Sequence, residues 1–289
     1  MCSSDLWTPE VKEFFVAFGA VTVGAASVVI APFIDTIIAS LLPAGSRTVL
    51  YYGDRINQLP LGVLGIALGT VLLPEMSARL ARGDRAGSDA AQNRSAAMTL
   101  LLTLPFVCAF IAIPGTIMRA IFAHGAFDPA AASLAGQVLT AYGIGLPAMA
   151  LIRILAPTFY ARHDTATPMR ATLIAMTCNI ALKFVFVWGM GLGVAGIALG
   201  TAFGAWINVG MLTWYGRSRA LLAIERIFVR ALPAALLAAL ACGAGAWIGA
   251  DLAGGYGDIA ALATAIAIAG VFYAAVLALF RGALPLRRA

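Results

Sequence analysis

Five charged side chains interrupt long apolar runs in this sequence: Asp35, Asp54, Arg55, Arg153 and Lys183. A charge in such a segment is costly to bury, so each one calls for a partner, water or a ligand. Asp54 and Arg55 lie in YYGDRINQLPLGVLGIALGTVLLP, residues 51–74, where a polar cluster runs directly into sixteen uncharged residues. On a helix, Tyr51, Asp54, Arg55, Gln58, Gly62, Gly65 and Gly69 share one face, so a polar stripe continues as bare backbone. Pro60 removes the backbone bond to the Ile56 carbonyl and is expected to kink the helix. A kink beside buried charges, with a glycine stripe for helix packing or hinging below it, points to a water-filled cavity. Neighbouring residues on a helix project about 100° apart, so Asp54 and Arg55 are poorly placed to pair with each other.

A second constellation comprises Asp35, Asn179, Lys183 and Thr201. Two readings stay open. Asp35 and Lys183 form an intramembrane ion pair, or Asp35, Asn179 and Thr201 are oxygen ligands for a small cation. The Lys183 ammonium would take the place of such an ion. Arg153, nine residues before Arg162, is either structural or reaches toward the inner surface.

Other chemistry finds little footing. His124 and His163 fall in loops on opposite sides of the expected membrane, and no nucleophile has a placed base. No phosphate-binding glycine loop or metal-ligand spacing occurs. Cys2, Cys108, Cys178 and Cys242 form no CxxC, and the last three are expected to be buried thiols. The chain reads as a transporter or scaffold and not an enzyme, with no metal and no cofactor.

The elements that must hold these residues follow from composition. The chain is 62% hydrophobic and 11% charged over 289 residues, with a mean hydropathy of +0.93. That leaves too little polar surface to cover a soluble globule. The expected fold is an all-α polytopic membrane protein with about eight transmembrane helices. The apolar segments run 13–43, 47–76, 95–118, 133–160, 169–189, 193–214, 231–250 and 259–280, each long enough to cross about 30 Å of hydrocarbon.

Charge orients them. Fourteen of the 19 basic residues fall in loops 77–94, 161–170 and 215–230 or at the two ends. The opposite loops hold Arg47 and Arg119 with Asp128, Asp251 and Asp258. The positive-inside rule makes both termini cytoplasmic. The net charge of +6 needs no nucleic acid partner, because loop arginines account for it. Tyr51, Tyr52, Tyr160, Trp188, Trp214, Tyr215 and Trp247 lie near segment ends, as interfacial aromatics do.

Residues 1–6, MCSSDL, resemble neither a signal peptide nor a helix start and read as a non-native scar. Thr8, Pro9 and Glu10 make a good helix N-terminus. Residues 7–214 form the expected six-helix lobe, 215–230 a basic cytoplasmic linker, and 231–289 a two-helix hairpin with a basic tail. LGVLGIALGT at 61–70 and LGVAGIALGT at 192–201 agree at nine of ten positions. They represent a parallel internal repeat or convergence on a packing sequence.

YYGDRINQLPLGVLGIALGTVLLPEMSARLARGD, together with LAPTFYARHDTATPMR at 155–170, resembles the MurJ (MviN) family of lipid II flippases. That family lies within the superfamily of multidrug, oligosaccharidyl-lipid and polysaccharide exporters. The resemblance implies two six-helix lobes followed by two further helices, of which this chain corresponds to the second lobe and the final pair, a C-terminal fragment lacking the N-terminal lobe. It implies a bacterial inner-membrane protein, with membrane lipid as its surroundings, that moves undecaprenyl-pyrophosphate-linked disaccharide pentapeptide between leaflets by alternating access. Arg55 would bind the pyrophosphate through bidentate donors, with Asp54 holding the arginine when the cavity is empty and Gln58 beside them. Sodium is associated with some relatives near spans one, five and six, and Lys183 departs from that pattern. The membrane potential is the other driving force to consider. The alternatives are another exporter of the superfamily, moving a drug or polyprenyl-linked glycan, or an inactive or scaffolding half-protein.

Overall fold

Proline and glycine divide the chain into helices. A computed structural model describes residues 11, 18, 30–123, 128–223 and 225–280, apart from the side chains at 64–71 and 227. The expectations for residues 1–6, Thr8, Pro9, Glu10, Lys12, Cys2, His124 and the basic tail lie outside the described residues. So do the surroundings of Gly65 and Gly69.

Among the described residues every regular element is helical. The helices are α1 (Ile30–Ser40), α2 (Ser46–Ala81), α3 (Arg85–Ala112), α4 (Pro114–Phe122), α5 (Pro129–Tyr160), α6 (Ala166–Phe184), α7 (Gly193–Ser218), α8 (Arg226–Ala253) and α9 (Asp258–Leu279). Six of them, α3 and α5 to α9, are long and apolar enough to cross a membrane. The eight expected segments also include the first, described at Phe18 and from Ile30 onward, and α2, whose central side chains are not described. This is an all-α, multi-pass membrane protein.

Helix boundaries differ from the sequence expectation in three places. Residues 77–94 were expected as a loop, but α2 runs to Ala81 and α3 begins at Arg85. The turn needs only three residues because Gly83 takes φ +77 and the Asp84 carboxylate caps α3, accepting from the Gly87 N–H at 2.8 Å. The expected span 95–118 is broken at Ile113, which has φ −134 and ψ 40. Pro114 disfavours the α conformation at the residue before it and then starts α4 at a position where its missing N–H is harmless. The linker 215–230 is likewise shortened, since α7 reaches Ser218 and α8 starts at Arg226.

Helix α5 is the centre of the bundle, packing against α2, α3, α4 and α7. Its small residues permit the closeness: a Cβ at Gly145 would lie 2.6 Å from the Ala202 Cα on α7. Across the α2 contact, a Cβ at Gly53 would lie 2.6 Å from Val138 Cγ1. Such backbone proximity is the usual source of cohesion where lipid removes the hydrophobic drive between helices. The core built on these contacts includes Ile38, Leu50, Ile56, Leu139, Leu146 and Ile197. A second cluster, with Leu72, Met76, Leu100 and Ile154, lies further along α2.

The α8–α9 pair docks on the bundle through α3 and α4. Gly249 of α8 presses on the backbone of Ala265 in α9, and the Thr264 hydroxyl donates to the Gly249 carbonyl at 2.8 Å. Arg119 on α4 reaches Asp258 at the start of α9 at 2.9 Å. Phe106, Leu236, Leu240, Ile266 and Val271 are exposed, an apolar outer surface suited to lipid.

Candidate functional site

The polar residues of α2 follow their helical spacing. Tyr51 and Arg55 are one turn apart, and the guanidinium carbon lies 4.7 Å from the tyrosine ring centroid, a cation–π contact. Asp54 and Gln58 are also one turn apart, and the Gln58 amide donates to the Asp54 carboxylate. The expectation that Asp54 holds Arg55 is therefore corrected: Asp54 accepts from Gln58, and no ion pair joins it to Arg55 among the described residues. Helix geometry explains the outcome, because an i+4 neighbour lies on the same face and an i+1 neighbour does not.

A cavity of about 1050 Å³ opens beside this face, bounded by α1, the α1–α2 turn, α2, α5 and α7. Asp35, Asp54, Gln58, Tyr142, Met149 and Thr201 contribute to its wall, with Arg47 near the start of α2. Arg55 is exposed and lies outside that lining. The structure thus gathers Asp54 and Gln58 with Asp35 and Thr201, and sets Arg55 on the adjoining surface. Helix α2 continues through Pro60 and Pro74. At Gly62 an added Cβ would meet nothing within 4 Å, so the close packing expected there is absent.

Close packing occurs instead along α7, within and just beyond the second decapeptide. Cβ atoms at Gly196, Gly200 and Gly204 of α7 would collide with Phe186, Lys183 and Asn179 of α6 and its wide final turn, at 2.9, 2.4 and 2.6 Å. The two copies hold different positions: residues 61–70 lie inside α2, whereas 192–201 span the start of α7.

Lys183 is buried at 1% exposure and pairs with Asp35 of α1. Thr201 of α7 lines the same cavity as Asp35, and its hydroxyl donates to the Ile197 carbonyl at 3.3 Å. One turn before Lys183, the Asn179 side chain presses on Gly204, and its Oδ1 is buried with no hydrogen-bond partner. Of the two readings left open by sequence, the geometry has the ion pair. The Lys183 ammonium already supplies the counter-charge to Asp35 that a bound sodium would otherwise provide.

Two polar contacts had no signal in sequence. Arg153 of α5 donates to the Leu61 carbonyl of α2 at 3.1 Å, which makes it a bridge between helices. Asn57 is 1% exposed and donates to Met149 Sδ at 3.8 Å. Neither pairing has a local sequence pattern, since each partner is 92 residues away. Cys242 is buried, but Cys108 and Cys178 are only partly so, correcting the expectation of three buried thiols. All three are free thiols.

The turn between α5 and α6 is also tightly held. Asp164 accepts from the Thr167 N–H at 3.0 Å, from its hydroxyl at 2.6 Å, and from Arg219 at 2.7 Å. Burial pushes the Asp164 carboxyl up, but the Thr167 hydrogen bonds and the Arg219 charge outweigh it and hold the group below its ordinary value.

The sequence profile described as lipid II flippase MurJ matches residues 4–277. The chain belongs to the MurJ family. A probable lipid II flippase MurJ of Rhizobium meliloti (strain 1021) is 38% identical over 239 residues, covering 80% of this chain and 44% of the relative. The lipid II flippase MurJ of Burkholderia cenocepacia is 32% identical over 235 residues, covering 80% of this chain and 45% of the relative. The chain thus spans less than half the length of these MurJ relatives. A solved MurJ in an inward closed conformation superposes with a TM-score of 0.76 at 24% identity, over 94% of this chain and 54% of that one. An outward-facing multidrug resistance MATE family transporter of the MOP superfamily has a TM-score of 0.60 at 16% identity, over 91% of this chain and 63% of that one. At these identities the solved structures establish a shared fold between MurJ, the MATE transporter and this chain.

Proposed function

We propose that the chain supplies the C-terminal lobe and the final helix pair of a lipid II flippase in the bacterial inner membrane, with both termini cytoplasmic. Its cargo is undecaprenyl-pyrophosphate-linked disaccharide pentapeptide, carried from the cytoplasmic to the periplasmic leaflet by alternating access. The role is transport and not catalysis, completed by an N-terminal lobe that faces the exposed side of α2.

The observation that carries this reading is Arg55. Its guanidinium is exposed on α2 and engages the Tyr51 ring at 4.7 Å, while the nearest acid along the helix, Asp54, is taken by Gln58. An exposed guanidinium offers two parallel donors to phosphate oxygens. Asp54 and Gln58 line the adjoining cavity and provide acceptor and donor groups for the sugar or peptide.

The test joins this chain to the N-terminal lobe of a relative in cells depleted of their own flippase. Arg55→Ala should insert normally and fail to restore growth. Growth at the wild-type rate with Arg55→Ala would overturn the assignment. The fold shared with the MATE transporter favours one second reading, an exporter of other amphiphiles. Accumulation of lipid II in the depleted cells, relieved by the joined protein, distinguishes the two.

A further inference from the structure

The Asp35–Lys183 pair joins helices that are far apart in sequence, α1 and α6, beside a cavity that α7 also borders. Its carboxylate has the surroundings of a cation ligand: Thr201 lines the same cavity, and α6 carries a buried, unpartnered Asn179 Oδ1 one turn from Lys183. The ammonium that completes it is held by shape as well as charge. Gly200 leaves room for the lysine stem, since a Cβ there would lie 2.4 Å from Lys183 Cγ and 3.1 Å from Lys183 N. A second glycine, Gly204, admits Asn179 in the same manner.

We infer that Lys183 is a resident cation, covalently tethered, that clamps α1 to α6 and α7 and makes this junction independent of dissolved sodium. A carboxylate at this depth requires a counter-charge. In this chain one is always present, at an effective concentration that no dissolved ion matches. An ion pair formed within one chain also carries no ion across the membrane, so the cation gradient is not linked to opening or closing of this junction. The inference concerns the junction alone and stands whether or not the cargo is lipid II.

The corollary is that removing the ammonium creates a cation site. Lys183→Ser opens the space of the lysine head and adds a hydroxyl oxygen to those of Asp35, Thr201 and Asn179, a hard-oxygen set suited to a small cation. A ligand that binds only the folded state raises its melting temperature as the ligand is added.

The experiment measures thermal unfolding of the whole chain in detergent at pH 8, as sodium chloride replaces choline chloride at constant ionic strength. The wild type should show no change. Lys183→Ser should melt lower in choline chloride and gain about 5 °C or more, saturably, in sodium chloride. The double variant Asp35→Asn with Lys183→Ser should lose that gain. A saturable sodium effect in the wild type would overturn the inference, as would a Lys183→Ser protein that elutes like the wild type yet ignores sodium. If Lys183→Ser fails to fold in either salt, the double variant decides. Recovery of folding shows that the ammonium serves as counter-charge, whereas continued failure shows that the lysine stem alone matters and refutes the clamp.

Discussion

The Arg153 guanidinium on α5 donates to the Leu61 carbonyl on α2 at 3.1 Å, immediately after Pro60. Proline removes a donor from the helix, and an intramembrane carbonyl without full satisfaction is costly. An arginine arriving from a neighbouring helix adds a charged donor to the backbone in that region. Arg153→Met should therefore lower stability by about 1.5 kcal/mol, the scale of a hydrogen bond from a charged group. A lower melting temperature, without a change in oligomeric state on gel filtration, checks this. An unchanged melt would mean that the bridge contributes nothing.

Gly62 of the first decapeptide and Gly200 of the second have different surroundings and should respond oppositely to a methyl group. Gly200→Ala forces the new carbon against Lys183 Cγ at 2.4 Å, and overpacking of this kind costs about 1–3 kcal/mol. Gly62→Ala meets open space and should be neutral or mildly stabilising, because alanine is the better helix former. Parallel melts of the two variants provide the comparison. Equal effects would show that the α6–α7 contact is not specific.

Asp164 links stability to acid. Its folded-state carboxyl sits below the ordinary value, so its contribution is fully present above the unfolded carboxylate range, near pH 4, and is lost as pH falls through the depressed folded value. The α5–α6 turn should loosen in that acidic window. Asp164→Asn should reduce stability at pH 7 and flatten the dependence below pH 4. Hydrogen exchange at Thr167 in both proteins reads the change directly.

Arg55→Lys separates charge from geometry in the proposed phosphate contact. Lysine keeps the positive charge but loses the planar fork. In the joined protein it should restore growth only partly, while Arg55→Ala restores none. Full activity with lysine would reduce the role to charge alone.

What sequence determined is the membrane class, the main helices and the family, because apolar length, proline and glycine placement, and the YYGDR segment are local properties. The i,i+4 logic within α2 was equally legible: Tyr51 meets Arg55 and Asp54 meets Gln58 through helix geometry alone. Tertiary structure decided which charges share a space. Sequence could not choose between an ion site and an ion pair for Asp35, since the choice depends on α1 approaching α6 across 148 residues. The same holds for Arg153 and Leu61, and for Gly200, which α7 presses onto Lys183 of α6. Helix contacts at long range depend on how small residues allow backbones to approach, a property of two surfaces together that neither segment encodes alone.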